Sequence, residues 1–339
     1  MVDLKKRLNV SFAGELGVDQ GGPSKEFFNS LNKAIVSNEN GLQLIEGEDD
    51  NKWPVHDTAA LSCGMYRVLG RIMGHAITHG ATALPGVSSA AIAYLITGNV
   101  DDATEKLVFE DLCDPELRQT IVAIMQANND DEINAIVATE VWQLMYCSGF
   151  NAVQITTKNR SEAAQVAIVH DTLLKRKGEL DDIRLRMQEI KDFLGRDLLD
   201  YLDKHDLDVP SLFPKIRTTA KAESVIALIR AACGAKTETE NSAAAIRAKT
   251  FFLQLIRSLD DDYDDDVNIA ALLQFWTGIS YIPPAQKYLE VGYQEGKGDF
   301  LLAQTCFQRI YLPVAHKTFE DFAKAARASI SKGQGFGLY

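Results

Sequence analysis

The chain has 339 residues, room for two lobes at about 150 residues per domain, and its 46% hydrophobic and 24% charged content is that of an ordinary globular protein. With 47 acidic residues against 35 basic ones, the net charge of −12 argues against a phosphate-binding surface, so no nucleic acid is expected as a partner. The most apolar stretch, 82–100, is broken by Pro85, Gly86 and two serines, which argues against membrane insertion. Cys63, Cys113, Cys147, Cys233 and Cys306 are scattered without a CxxC pair. They therefore signal neither a metal site nor a redox dithiol, and reduced thiols suit a cytoplasmic or nuclear protein.

In chain order, residues 7–13 alternate Leu8, Val10 and Phe12 with other residues, which predicts a strand. Pro23 then opens a helix carrying Phe28, Leu31 and Ile35 at helical spacing. A second helix is expected over 59–79, with Leu61, Met65, Val68, Ile72 and Ala76 on one side and Leu69 and Met73 widening the buried face. Its glycines, Gly64, Gly70, Gly74 and Gly80, lack the preceding strand of a nucleotide loop and point to close helix packing. His75 and His79 have the four-residue spacing of zinc ligands, but no third ligand or neighbouring glutamate accompanies them, so a structural role is expected.

Residues 101–145 read as short helices with acidic breaks, and 152–156 as a short strand. A helical stretch over 161–201 carries Leu180, Ile183, Met187, Ile190 and Leu194 as a seam for packing within the molecule. The polar run GAKTETENS, 234–242, suits a hinge, and an apolar helix is expected over 250–259. The run 260–266 lacks the glycine and distal glutamate of a calcium loop and reads as an acidic turn. In LAQTCFQRIYLP, 302–313, alternation after Cys306 predicts that this cysteine opens a strand and is exposed. Thr318 and Asp321 form a capping box for a helix with Phe319, Phe322, Ala326 and Ile330 inside, ended by Gly333, Gly335 and Gly337.

Thr305-Cys306-Phe307 with Arg309, Leu312 and Pro313 resembles the thioester motif of HECT ubiquitin ligases, and Gly335-Phe336-Gly337-Leu338 resembles their C-terminal tail. Phe275-Trp276-Thr277-Gly278 followed by Pro283 is similar to the start of their C-lobe strand region. Val10-Ser11-Phe12, Gly14-Glu15, Gly17-Val18-Asp19, Gly21-Gly22-Pro23 and Glu26-Phe27-Phe28 resemble the opening of their N-lobe, and Leu69-Gly70-Arg71 and His79-Gly80 the helix that follows.

The resemblance implies an α+β, bilobal fold. A mainly helical N-lobe would span 1–235, with a conjugating-enzyme-binding subdomain near 105–160. A hinge would lie at 236–248 and a C-lobe at 249–339. It also implies a ubiquitin transferase without cofactor, whose partners are ubiquitin, a ubiquitin-conjugating enzyme and a protein substrate. Cys306 would carry ubiquitin as a thioester and pass it to a substrate lysine, with Thr305, Phe307 and Phe336 in support. Thr305 and nearby backbone N–H groups are candidate oxyanion donors, and Phe336 a positioning residue. Trp142, Leu144, Met145 and Tyr146 are candidate contacts for the conjugating enzyme.

Three departures stand out. Gln304 stands where many family members have histidine, so no titrating group is there, the chain ends in Tyr339 instead of an acidic residue, and the segment 114–159 matches the conjugating-enzyme subdomain only loosely. They motivate the alternative of a catalytically inactive ubiquitin-binding or scaffold protein. A third reading pairs Cys306 with His316 as a cysteine hydrolase.

Overall fold

Pro23 stands at the second position of α1 (Gly22–Ser37), where its missing N–H leaves no helical bond unmade. The structure, a computed structural model, describes residues 8–11, 22–37, 41–48, 50–137, 149–150, 154–191, 195–204, 209–215, 220–231, 242–261, 267–282, 288–294 and 298–332. The side chains of Pro210, Ala231, Asp261, Cys306 and Lys332 fall outside the description.

α1 turns Phe28 towards Ala76, Ala81 and Leu8. Its Asn32 amide donates to the carbonyl oxygens of Thr82 and Ala83 at 3.0 and 3.2 Å. The strand expected over 7–13 is not formed at 8–11. The Leu8 N–H instead donates to His79 Nε2 at 3.0 Å, which ties the segment to a helix end and not to a sheet.

After the short antiparallel pair β1 (Ile45–Glu46) and β2 (Trp53–Pro54), the single helix expected over 59–79 divides into α2 (Thr58–Ser62) and α3 (Met65–Thr78). Gly64 causes the break, because its φ of 75° lies in the left-handed region. The buried face also differs from expectation. Tyr66, Leu69, Met73 and Ala76 are inside, whereas Val68 is exposed.

Then come α4 (Ser89–Thr97), α5 (Val100–Thr104), a 3₁₀ turn (Phe109–Asp111), α6 (Pro115–Gln126) and α7 (Asp130–Val137), the expected short helices. Residues 154–156 form no strand, and the Thr156 N–H is taken by Asn159 Oδ1 at 2.7 Å. The long helix expected over 161–201 is interrupted. α8 (Arg160–Val169) passes into a π turn (His170–Leu174) before α9 (Lys177–Gln188). The buried Arg176 guanidinium donates to the carbonyl oxygens of Asp171 and Thr172 and to Glu46, drawing carbonyl groups of this turn out of the regular ladder. α10 (Leu198–Lys204) and α11 (Val209–Leu212) complete this part.

The seam residues Leu180, Ile183, Met187 and Ile190 are buried in one core with Trp53, Tyr66, Leu69 and Met73. Gly70 and Gly74 make this possible. A Cβ on Gly70 would stand 2.2 Å from the Ile183 carbonyl oxygen, and one on Gly74 2.2 Å from Ile190 Cδ1. A smaller core gathers Leu117, Ile121, Ile124, Ile133, Ala163 and Ala167.

The C-terminal part has a core of its own around Phe252, Leu255, Trp276, Leu289, Ile310 and Phe322. It contains α12 (Ala222–Ala227), β3 (Ile229–Ala231), α13 (Ala243–Asp261), α14 (Ile269–Thr277), β4 (Leu289–Tyr293), β5 (Leu302–Gln304), β6 (Arg309–Leu312) and α15 (Phe319–Lys332). The sheet runs β3-β4-β6-β5, with β3–β4 and β4–β6 parallel and β5–β6 antiparallel. Residues 243–248 begin α13, residues 222–231 pack on this second core, and residues 236–241 of the expected hinge lie outside the described residues. Thr318 caps α15 as expected, its Oγ1 accepting the Asp321 N–H at 3.3 Å and donating to Asp321 Oδ2 at 2.8 Å, a side-chain bond in place of the capping box's return bond to the backbone. The glycines after residue 332 lie outside the described residues.

No helix among the described residues is long and apolar enough to cross a membrane.

Two stability measurements check this packing. Gly70→Ala should lower the urea midpoint by the equivalent of about 1–3 kcal/mol, because it meets backbone. Gly74→Ala should cost less, because the Ile190 side chain can turn away. His75, buried at 8% exposure, is held below the ordinary histidine value of 6.5 by burial, then by His79 and Arg71. The unfolded chain therefore binds a proton that the fold refuses, and stability should fall as pH drops below 6.5. The fall, at most about 1.4 kcal/mol per pH unit for this one group, should be shallower in His75→Gln.

Candidate active site

β5 and β6 are the arms of a tight hairpin, in register Leu302↔Tyr311, Ala303↔Ile310 and Gln304↔Arg309. Between them Thr305–Phe307 forms a 3₁₀ turn, closed by Gln308 N–H on the Thr305 carbonyl oxygen at 3.1 Å. Cys306 thus sits within a turn and does not open the strand, which starts at Arg309. The reason lies at Gln308, whose φ of 52° is left-handed and cannot continue a strand. The backbone of Cys306 is placed by this turn, while its side chain lies outside the description.

The turn is clamped from two sides. The Gln308 carbonyl oxygen accepts from the indole Nε1 of fully buried Trp276 and from the Glu290 N–H, each at 3.0 Å. Thr305 is buried, and its hydroxyl Oγ1 has no hydrogen-bond partner. Phe307 is 57% exposed, and Phe300 and Leu302 on the approach to the turn are also exposed. Phe336 lies outside the described residues, as do Trp142, Leu144, Met145 and Tyr146.

A charged row crosses the sheet directly behind the turn. Arg230, Glu290, Arg309 and Gln304 occupy paired positions on β3, β4, β6 and β5. Buried Glu290 accepts from Arg309 Nε at 2.8 Å and Nη2 at 2.6 Å, and from Arg230 Nη2 at 2.7 Å. Arg309 Nη1 also reaches the Tyr311 hydroxyl at 3.3 Å. Sequence reasoning missed this row. Its visible signal was Glu290 itself, a charge amid Leu289, Val291 and Tyr293, which a sheet buries only with a partner.

The other titrating candidates are engaged elsewhere. His316 Nε2 bonds the Asp299 carbonyl oxygen at 2.7 Å, with its ring edge-on to Phe322. Both residues lie at the open end of the hairpin, about 10 Å from the turn at about 3.3 Å per strand residue. His316 is thus engaged at the end of the hairpin away from the turn. His79 accepts from Leu8, and its Nδ1 bonds the His75 carbonyl oxygen at 2.8 Å, the structural role expected. Among the described residues no cluster of three His, Cys, Asp or Glu side chains could hold a metal. Cys113 is pushed up to about 12, chiefly by burial, whereas Cys63 is exposed. Cys147 and Cys233 lie outside the described residues.

The pair Glu290–Arg309 should carry much of this hairpin's stability. Glu290→Gln, which keeps shape but removes the charge opposite the guanidinium groups, should destabilise by about 3 kcal/mol. Glu290→Gln combined with Arg309→Met should recover part of that loss in the same denaturation assay.

The description of the HECT domain (ubiquitin-transferase) as a sequence family matches residues 29–339. The chain is 24% identical to E3 ubiquitin-protein ligase RSP5 of Chaetomium thermophilum, over 99% of this chain and 40% of that protein. It is 24% identical to Probable E3 ubiquitin-protein ligase HECTD2 of Mus musculus, over 99% of this chain and 43% of that protein. Apoptosis-resistant E3 ubiquitin protein ligase 1 of Homo sapiens is similar at 22% identity, over 99% of this chain and 41% of its own length. The chain thus spans less than half the length of these curated relatives.

Proposed function

The chain belongs to the HECT-domain (ubiquitin-transferase) family, and from that premise we propose that it accepts ubiquitin on Cys306 and passes it to a substrate lysine. The observation that carries the reading is the match over 29–339 together with the placement of Cys306 in a clamped turn beside exposed Phe307. The Cys306 thiolate would attack the thioester carbonyl that a conjugating enzyme presents. The tetrahedral oxyanion then collapses, the new C–S bond stays and the conjugating enzyme's thiolate leaves. In the second step a neutral lysine amine attacks, the C–N bond forms, the C–S bond breaks and a base takes the amine's proton.

Thr305 Oγ1, buried without a partner, is a candidate donor to the oxyanion. Phe336 remains the proposed positioning residue of the tail. The core around Leu117, Ile121 and Ile124 is the proposed seat of the conjugating enzyme. α6 carries exposed Val122 and Met125 there, three apart on one face, an apolar surface for such a partner. Because α12 and β3 already pack on the second core, the pivot between the lobes belongs upstream of Ala222.

A second reading, an inactive ubiquitin-binding scaffold, is favoured by one feature, the exposed Gln304 beside the turn in place of a titrating side chain. One assay separates them. With activating enzyme, conjugating enzyme, ATP and ubiquitin, a thiol-sensitive ubiquitin adduct should form on the chain. It should persist in Cys63→Ala and vanish in Cys306→Ala. An adduct that survives Cys306→Ala removes the assignment, and no adduct at all supports the scaffold.

A further inference from the structure

α1 does more than close the first core. Phe28 packs on Ala76 and Ala81 and Asn32 binds the Thr82 and Ala83 carbonyl oxygens, while beside them the Asn29 side-chain amide donates to the Gln274 carboxamide of α14, 245 residues on. A second contact lies on the same two faces. Gly22 and Asn29 are seven apart on α1, and Gln274 and Gly278 are four apart at the end of α14, so each pair shares a helix face. Gly278 caps α14 with a φ of 77°, and a Cβ built on it would be 3.9 Å from both the Gly22 carbonyl oxygen and Thr305 Cβ. The chain thus meets itself at two points, and the second point adjoins the residue that precedes Cys306.

α1 is held by the first core and by Ala76 and Ala81, and the small core of Leu117, Ile121 and Ile124 includes no residue of α1. A C-terminal lobe seated on α1 is therefore committed to the large part of the first lobe, away from the proposed seat of the conjugating enzyme. We infer that Asn29 and Gln274 are positioning residues, a latch that seats the Cys306 turn on α1 for the second transfer, discharge onto an amine. This rests on the reading of Cys306 given above. The latch opens for loading and closes for discharge, so it acts on one step only.

The test uses the full chain, Asn29→Ala, Gln274→Ala, and the exchanged pair Asn29→Gln with Gln274→Asn, which conserves the combined reach. Each is loaded from a conjugating enzyme charged with labelled ubiquitin, then chased with unlabelled ubiquitin as the amine source. Loading should stay within about two-fold, while discharge should slow about five-fold in the single variants, the worth of one hydrogen bond. Discharge should recover in the exchanged pair. Unchanged discharge, loading that falls with it, or no recovery in the exchanged pair overturns the latch. Hydrogen exchange on the free chain reads the contact without ubiquitin. Amides of 22–30 and 274–280 should exchange faster together in each single variant, and unaltered exchange overturns the proposal. If the unsubstituted chain forms no adduct, the Cys306 reading fails, while exchange still decides whether the two faces meet.

Discussion

Gln308 adopts the one left-handed conformation seen for a non-glycine residue among the described residues, and its carbonyl oxygen answers two donors at once. A left-handed glutamine costs on the order of 1 kcal/mol, and persists only where its surroundings leave no alternative. Here Trp276 supplies an indole N–H from α14 and Glu290 a backbone N–H from β4. The helix and the sheet thus agree on one position for the turn. Acyl transfer between two proteins gains most from a reacting group already held in place, since the entropy of orienting it is then spent in folding. On the proposed reading of Cys306, the clamp is the part of the structure that would supply this orientation.

The charged row behind the turn serves the same end by other means. Three charged side chains in register across three strands would be costly if any one lost its partner. Glu290 is the shared acceptor, so the guanidinium of Arg309 is fixed by two bonds to one oxygen. Fixing Arg309 fixes the start of β6, one residue beyond Gln308. In the first lobe backbone contact takes over this role, since Gly70 lets α3 approach the Ile183 carbonyl oxygen closer than any other residue could. Both lobes are therefore specified at a few points of close fit, with ordinary apolar packing between them.

Much of this was legible from residue patterns. The seam Leu180, Ile183, Met187 and Ile190 is buried as its spacing requires, Leu194 lying outside the described residues, and Thr318 caps the last helix. The glycines of α3 do pack a helix, as the missing nucleotide-loop strand suggested. The failures have physical causes. Alternation at 8–12 matched a strand, but alternation says nothing about whether a partner strand exists, and the Leu8 N–H found a histidine. Helical periodicity ran through Gly64 and through 170–174 because it counts side chains and not backbone bonds. Only the φ of Gly64 and the carbonyl demands of Arg176 ended those helices. Composition near 234–242 likewise could not reveal that β3, just before it, pairs in parallel with β4 some sixty residues later.

The placement of Cys306 in a turn changes what its neighbours can offer. In a paired strand, alternate residues point inward and the backbone N–H groups are spent on the ladder. At the start of a 3₁₀ turn the first N–H groups have no carbonyl within the turn to meet, and they point outward together. On the proposed reading of Cys306, N–H groups left free at such a turn would serve a tetrahedral oxyanion. Gln304 ends β5 on the exposed side, with the Tyr311 hydroxyl 3.5 Å from its carboxamide, while the turn that follows is held by Trp276 and Glu290. The turn thus takes its geometry from the helix and sheet behind it, and not from the side chain that flanks it.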